Sequence, residues 1–247
     1  GLSWTFFLRK GVKFHNGREA AADDVVYSFT RILDPKTRSK AAEIFLRVKG
    51  AKDFVERRAK SIQGLRAIDR HTVQIDLAEA SAPFVASLAM GYTKIVPQEI
   101  VEEFGPAFGN HPVGTGPFRF VRWRKDEEIS LEANPDYYAG RPFVDRLEYK
   151  IFPGHQRDAM LATFERGGLE DTDMPASEVE RLQNNARYQF VRRPILGVRF
   201  LGFQTSQGPL ANRLIRQAFN YSIDREWLVR EINKNRYRAG QTFLPPG

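Results

Sequence analysis

The residues of this chain whose types could do chemistry are four histidines, two clusters of carboxylates and one glycine pair. His15, His71, His111 and His155 lie 40–56 positions apart, so no pair has the i, i+4 spacing that sets two imidazoles on one helix face around a metal. They read as surface or turn histidines. Asp23-Asp24 precedes an apolar-periodic run and reads as a helix start, where carboxylates meet the positive end of the helix dipole. Glu170-Asp171-Thr172-Asp173 reads as a polar loop. Gly114-Thr115-Gly116 lacks both the Gly-Lys-Ser/Thr ending of a phosphate loop and the third glycine of a dinucleotide fingerprint, which leaves a tight backbone turn. There is no nucleophile-elbow serine, no Ser-x-x-Lys and no metalloprotease helix motif. Asn220-Tyr221-Ser222 fits the glycosylation pattern, but it falls where one helix meets the next and the pattern is common by chance. With no cysteine, a disulfide framework, a Cys-based zinc site and a thiol nucleophile are all excluded within this chain. These residues point to binding without chemistry, with no cofactor and no metal expected.

The elements that must position any such site come from a chain of 247 residues, 42% hydrophobic and 12% aromatic, which excludes intrinsic disorder. No window reaches the roughly 18 consecutive apolar residues of a membrane span. The net charge of +8 invites a nucleic-acid or anionic-surface reading, so charge placement decides. The densest basic stretches are Arg122, Arg124 and Lys125, then Arg192-Arg193, then Arg225 through Arg238. Asp126, Glu127, Glu128, Glu226 and Glu231 interrupt them, which is the pattern of solvated faces.

Strands and helices interleave. Residues 4–9 alternate as a strand, His15-Asn16-Gly17 marks a turn, and Val25, Val26, Phe29, Ile32 and Leu33 recur at helical spacing until Asp34-Pro35 stops the helix. Short helices are expected at 40–49 and 51–59, paired strands at 64–69 and 72–78, and helices at 82–90 and 97–104. A Pro/Gly-rich stretch from Gly105 to Phe118 is the best internal boundary. Beyond it come expected strands at 118–123, 127–132 and 145–152, a helix at 155–166, strands at 187–192 and 196–204, and helices at 209–220 and 224–232, the last capped by Asp224. The fold class is α/β with much antiparallel character. Gly1-Leu2-Ser3 runs straight into strand-like sequence and Phe243-Leu244-Pro245-Pro246-Gly247 is turn sequence, so both ends read as cuts through a longer protein.

Residues 4–29, running from Trp4 through the Phe-His-Asn-Gly-Arg turn to Phe29, resemble the opening motif of the family 5 extracellular solute-binding proteins, receptors of bacterial ABC importers. Three further stretches agree in order and spacing: Pro112 to Phe118, Asn134-Pro135-Asp136-Tyr137-Tyr138, and Arg213 through Arg225. The chain departs at Tyr138, where relatives often carry Trp, and at Ala20-Ala21-Ala22, where a Thr often precedes the helix. The resemblance implies a periplasmic-binding-protein-like fold of type II, in its large three-subdomain class, that closes on its ligand about a hinge. Residues 1–110 would be the extra subdomain packed on the first lobe, 111–205 part of that lobe's mixed sheet, and 206–247 the hinge and the start of the second lobe. The segments Arg38–Phe45 and Met90–Lys94 would face the cleft. Lys40, Phe45, Met90 and Tyr92 are therefore the expected ligand-lining residues, with Phe203 and Thr205 near the hinge. An aromatic or Met side chain gives adaptable apolar contact and a Lys pairs with a carboxylate. The implied function is delivery of a peptide or similar small solute to a membrane permease, by a monomer that is periplasmic or extracellular and membrane-associated. A sensor module on the same fold and a basic nucleic-acid or anionic-surface binder are the alternatives.

Overall fold

The computed structural model describes residues 1–154, 156–192 and 195–243, so His155, Arg193, Pro194 and the Leu244–Gly247 tail lie outside the described residues. The chain falls into two units, Gly1–Ile151 and Phe152–Gly247.

The first unit holds two antiparallel three-stranded sheets. β1 (Ser3–Phe7), β2 (Leu65–Asp69) and β3 (Thr72–Asp76) pair in the order β1-β3-β2. Trp4 lies opposite Ile75 and Phe6 opposite Val73, so the inward residues of β1 meet the two fully buried positions of β3. That face packs on α1 (Ala22–Leu33), whose Val25, Phe29, Ile32 and Leu33 are buried at i, i+4, i+7 and i+8 spacing. The Ala21-Ala22 start forgoes a capping hydroxyl. Asp24 compensates by accepting from the Ala21 backbone N–H at 2.8 Å.

Two short helices, α2 (Ala42–Phe45) and α3 (Ala51–Val55), and α4 (Phe84–Ser87) close the core. Each is shorter than its sequence pattern suggested. Such short helices owe their stability to packing rather than propensity. Phe45 lies wholly inside, its ring centroid 4.5 Å from that of Phe29 and 6.3 Å, edge-on, from that of Phe84. Of the described glycines, Gly64 has the least room for a side chain. A Cβ there would stand 2.4 Å from the Asp76 carbonyl oxygen and 2.9 Å from the Lys49 backbone nitrogen.

After α5 (Gln98–Phe104), the second sheet is a meander of β4 (Phe118–Arg124), β5 (Glu128–Ala133) and β6 (Arg146–Lys150). Its register sorts the two faces. Phe120, Leu131 and Leu147 form one cross-strand row, and Trp123, Ile129 and Tyr149 the next. A bulge at Val121 keeps Phe120 and Trp123 on the same face although they are three residues apart. The opposite face carries Arg122, Arg124, Glu128, Glu132, Arg146 and Glu148. Glu128 is buried between Arg122 (2.7 Å) and Arg124 (2.9 Å), and these guanidiniums, Arg122 foremost, hold its carboxyl below the usual range. The basic stretch at 122–125 is thus a cross-strand charge ladder.

The Pro/Gly-rich stretch at 105–118 is not where the units part. His15 from before the stretch and Asn134 from after it both bond to its backbone, at Gly114, Gly116 and Pro117, and the division falls at Ile151/Phe152 instead.

The second unit contains α6 (Arg157–Glu165), α7 (Val179–Leu182), α8 (Arg213–Ser222) and α9 (Arg225–Trp227), the last continuing into a single π turn at Leu228–Ile232. Asn212 caps α8 through the Leu214 N–H and Asp224 caps α9 through the Trp227 N–H. The strands expected at 187–192 and 196–204 do not form among the described residues. Isolated apolar stretches need a pairing edge to become strands, and none of the described residues supplies one. Accordingly Ile195, Leu196, Phe200 and Leu201 are each more than three-fifths exposed, and α8 buries no residue.

Candidate functional site

The two segments expected to face ligand both lie in the first unit, and the core fixes their roots. Asp34 accepts from the Lys36 N–H and starts a 3-10 turn over Pro35–Thr37, after which Arg38 takes a left-handed conformation (φ 49°) that turns the chain toward α2. Lys40 is exposed and has no hydrogen-bond or ion partner among the described residues. Phe45 is different. It is fully buried between Phe29 and Phe84, so it supports the segment from beneath and presents nothing to a ligand. This corrects its assignment as a lining residue: its apolar ring, four positions from Ala41, points to the same interior as that buried alanine.

The contact from Phe45 to Phe84 joins α2 to α4, the helix that leads into Met90–Lys94. There a 3-10 turn over Gly91–Thr93 is pinned by Thr93, which is buried and whose hydroxyl lies 2.6 Å from the Leu88 carbonyl and 2.7 Å from the Met90 carbonyl. Further on, Ser28 of α1 accepts from the Val96 N–H (3.0 Å) and donates to the Val96 carbonyl (3.3 Å). With its polar side chain turned in, the turn holds Met90 and Tyr92 out, 45% and 58% exposed. Thr93 and Ser28 escaped the sequence reading because a lone hydroxyl carries no spacing signal.

Phe203 and Thr205 lie in the second unit. Phe203 is half-buried, 5.4 Å from Phe219 between ring centroids, and Thr205 is exposed. Phe203 borders an open space of about 3460 Å³ that Thr205 does not line. That is several times the roughly 300–1,000 Å³ of a small-ligand pocket, and exposed aliphatic residues border it.

The densest polar geometry lies where three of the four sequence motifs meet, and the focus is the carbonyl of Gly116. His15 Nε2 approaches that oxygen at 3.0 Å and Asn134 Nδ2 donates to it at 3.0 Å. A carbonyl only accepts, so Nε2 carries the ring proton and Nδ1 is free to accept the Gly114 N–H at 3.4 Å. A backbone bond from the His15 N–H to the Gly114 carbonyl (2.9 Å) completes the joint. Asn134, 1% exposed, also accepts through Oδ1 from Arg119 Nε (3.0 Å) and Nη2 (2.8 Å) and from the Asp136 N–H (3.1 Å). The Arg9 guanidinium sits 5.1 Å from the centre of the Tyr138 ring, a second tie between the first and third motifs.

His15 is thus a half-buried connector where a surface or turn histidine was expected. Burial lowers its pKa, the Gly116 bond opposes that shift, and the Arg119 charge adds to it. His111, stacked on Phe104 at 4.1 Å, and His71, beside Glu19 at 3.2 Å, are held locally. Next to the joint, Arg18 bridges Asp24 (2.6 and 3.0 Å) and Glu99 (2.7 and 2.9 Å), with Asn16 donating to the same Glu99. The Arg18 bonds are the main reason the Glu99 carboxyl is lowered to about 2. Among the described residues no group of three or more His, Asp or Glu side chains could hold a metal ion.

The sequence profile described as bacterial extracellular solute-binding proteins, family 5, middle region, matches residues 1–247. The chain belongs to this family. The heme-binding protein A of Haemophilus influenzae is 31% identical over all of this chain and 46% of its own length. The dipeptide-binding protein of Escherichia coli is 27% identical over all of the chain and 47% of its length. Among solved structures, the Escherichia coli murein tripeptide binding protein superposes with a TM-score of 0.86 over 98% of this chain and 48% of that one, at 24% identity, a likeness of fold. The chain therefore spans about half the length of the relatives it matches, and its fold is that of a partial periplasmic binding protein. The family and its neighbours are binding proteins rather than enzymes, and the family is extracellular.

Proposed function

We propose that this chain is part of the substrate-binding receptor of a bacterial ABC importer, taking up a peptide or similar small solute and passing it to the membrane permease. The observation that carries this reading is a family match over the whole of residues 1–247, with relatives named for heme and dipeptide binding. In the full-length protein residues 1–110 form the extra subdomain, 111–205 part of the first lobe and 206–247 the way into the second. The receptor works as a monomer in the periplasm or at the outer face of the membrane, without catalysis, cofactor or nucleic acid.

Met90 and Tyr92 give the ligand apolar, adaptable surface, Lys40 pairs with a ligand carboxylate, and Phe203 and Thr205 contribute near the hinge. The pinning of the Met90–Thr93 turn by Thr93 supports this role, because a surface held open in advance loses less entropy on binding. A thermal-shift panel of dipeptides, tripeptides, heme, metal chelates, opines and sugars on the full-length protein tests the reading. A true ligand at a hundred times its Kd stabilises by about 2.7 kcal/mol. The absence of any shift across the panel would refute it.

A further inference from the structure

The joint at Gly116 carries an inference about how the first unit is held together. The β1–β3 layer, with α1 and the Met90–Thr93 turn, meets the β4–β6 sheet through a ring that uses both nitrogens at once. Nε2–H donates to Gly116 and Nδ1 accepts from Gly114. Only the neutral Nε2–H tautomer can do both, because a second proton on Nδ1 would face the Gly114 N–H donor to donor. We propose that His15 is a positioning residue whose neutral ring locks these two layers together and whose protonation loosens them.

Beyond the Gly116 carbonyl, the surroundings offer the cation nothing. The charged group that acts on the ring from β4 is Arg119, itself held by Asn134 and Asp136. From α5, Glu99 is engaged by Arg18 and Asn16, the residues that follow His15 in its own loop. Lys13, on the preceding side, adds positive charge to that loop. No carboxylate is paired with the ring among the described residues. Asn134 contributes to the same carbonyl without titrating, so loss of the His15 bonds weakens the joint but leaves it tethered.

The direction in pH follows from linkage. The folded ring has a pKa below that of the unfolded chain, so above about pH 6.5 both states are neutral and the joint is at full strength. As pH falls through this window the open state takes up a proton that the closed state resists, and opening becomes more favourable by up to about tenfold per pH unit.

The test uses the full-length protein with isotope-labelled histidine. Ring nitrogen shifts should report the Nε2–H tautomer for His15 and a titration midpoint below the ordinary value. The Nδ1–H tautomer, or a midpoint at or above the ordinary one, overturns the proposal. Hydrogen exchange supplies the second readout. The protection factor of the Gly114 amide, corrected for intrinsic exchange, should fall as pH drops from about 6.5 toward the ring's midpoint. His15→Gln keeps a donor and an acceptor but does not titrate, so it should remove that pH dependence while His111→Gln leaves it in place. The same pH dependence in His15→Gln as in the unsubstituted protein overturns the proposal. The ring titration needs no substitution, so it decides the matter even where His15→Gln fails to fold.

Discussion

Truncating Asn134 to alanine tests the motif joint most directly. The side chain is 1% exposed and makes one bond to the Gly116 carbonyl, two from the Arg119 guanidinium and one from the Asp136 N–H. A neutral bond contributes about 0.5–1.5 kcal/mol net and a bond to a charged group about 1.5–3 kcal/mol, with the two Arg119 bonds sharing one acceptor. The summed loss is about 2.5–6 kcal/mol, a large part of the roughly 5–15 kcal/mol that holds a domain folded. In urea, with m of about 2 kcal/mol/M, the midpoint should fall by about 1–3 M. Trp123 on β4 offers a fluorescence probe in the same sheet. Asn134→Asp sharpens the case, since it keeps an acceptor for Arg119 but sets an oxygen against the Gly116 oxygen in place of the Nδ2 donor. It should also destabilise, by about 1–3 kcal/mol. Because His15 and Asn134 share one carbonyl, their double substitution should be non-additive by at least about 0.5 kcal/mol. A midpoint shift under about 0.3 M for Asn134→Ala, or full additivity with His15, would refute the shared-acceptor reasoning.

Gly64→Ala should lower stability by about 1–3 kcal/mol or more, because the new methyl meets the Asp76 carbonyl at 2.4 Å; thermal unfolding reads this directly. Phe45→Ala should cost about 3–5 kcal/mol of stability as a core truncation. Tyr92→Ala, on an exposed side chain, should leave the melting temperature in place and weaken ligand binding by about 5- to 30-fold in calorimetry. Glu99 in the folded protein titrates at about 2 against an ordinary 4.5, so its contribution is complete above about pH 4.5 and is lost as pH falls toward about 2. Arg18→Gln should flatten that acid limb in urea midpoints taken across the same range.

The sequence periodicities located most of the first unit: the helix from Val25 to Leu33 and the strands at 65–69, 72–76, 118–124, 128–133 and 146–150 fall where alternation and helical spacing put them. The helix and the strands of the first sheet are legible because each buries one face within this chain, and those of the second because alternation matches their pairing with one another. The residues at 187–192 and 196–204 look equally strand-like yet form no strand, since pairing is a property of a neighbour and not of the segment. Which side chains turn outward was not legible from spacing: Met90 and Tyr92 are exposed while Phe45 went inward, because burial of an aromatic depends on what lies across the core. His15 was hidden for a related reason. Its partners are backbone atoms about a hundred positions away, and a main-chain N–H or carbonyl leaves no trace in residue type.

The apolar rows across β4–β6 bear on how such a protein must be made. Trp123 and Tyr149 are each about half exposed on a face whose other side is a finished ladder of charges, so the sheet is soluble on one side and adhesive on the other. A chain stalled or clipped after these strands would expose that adhesive side to every other copy.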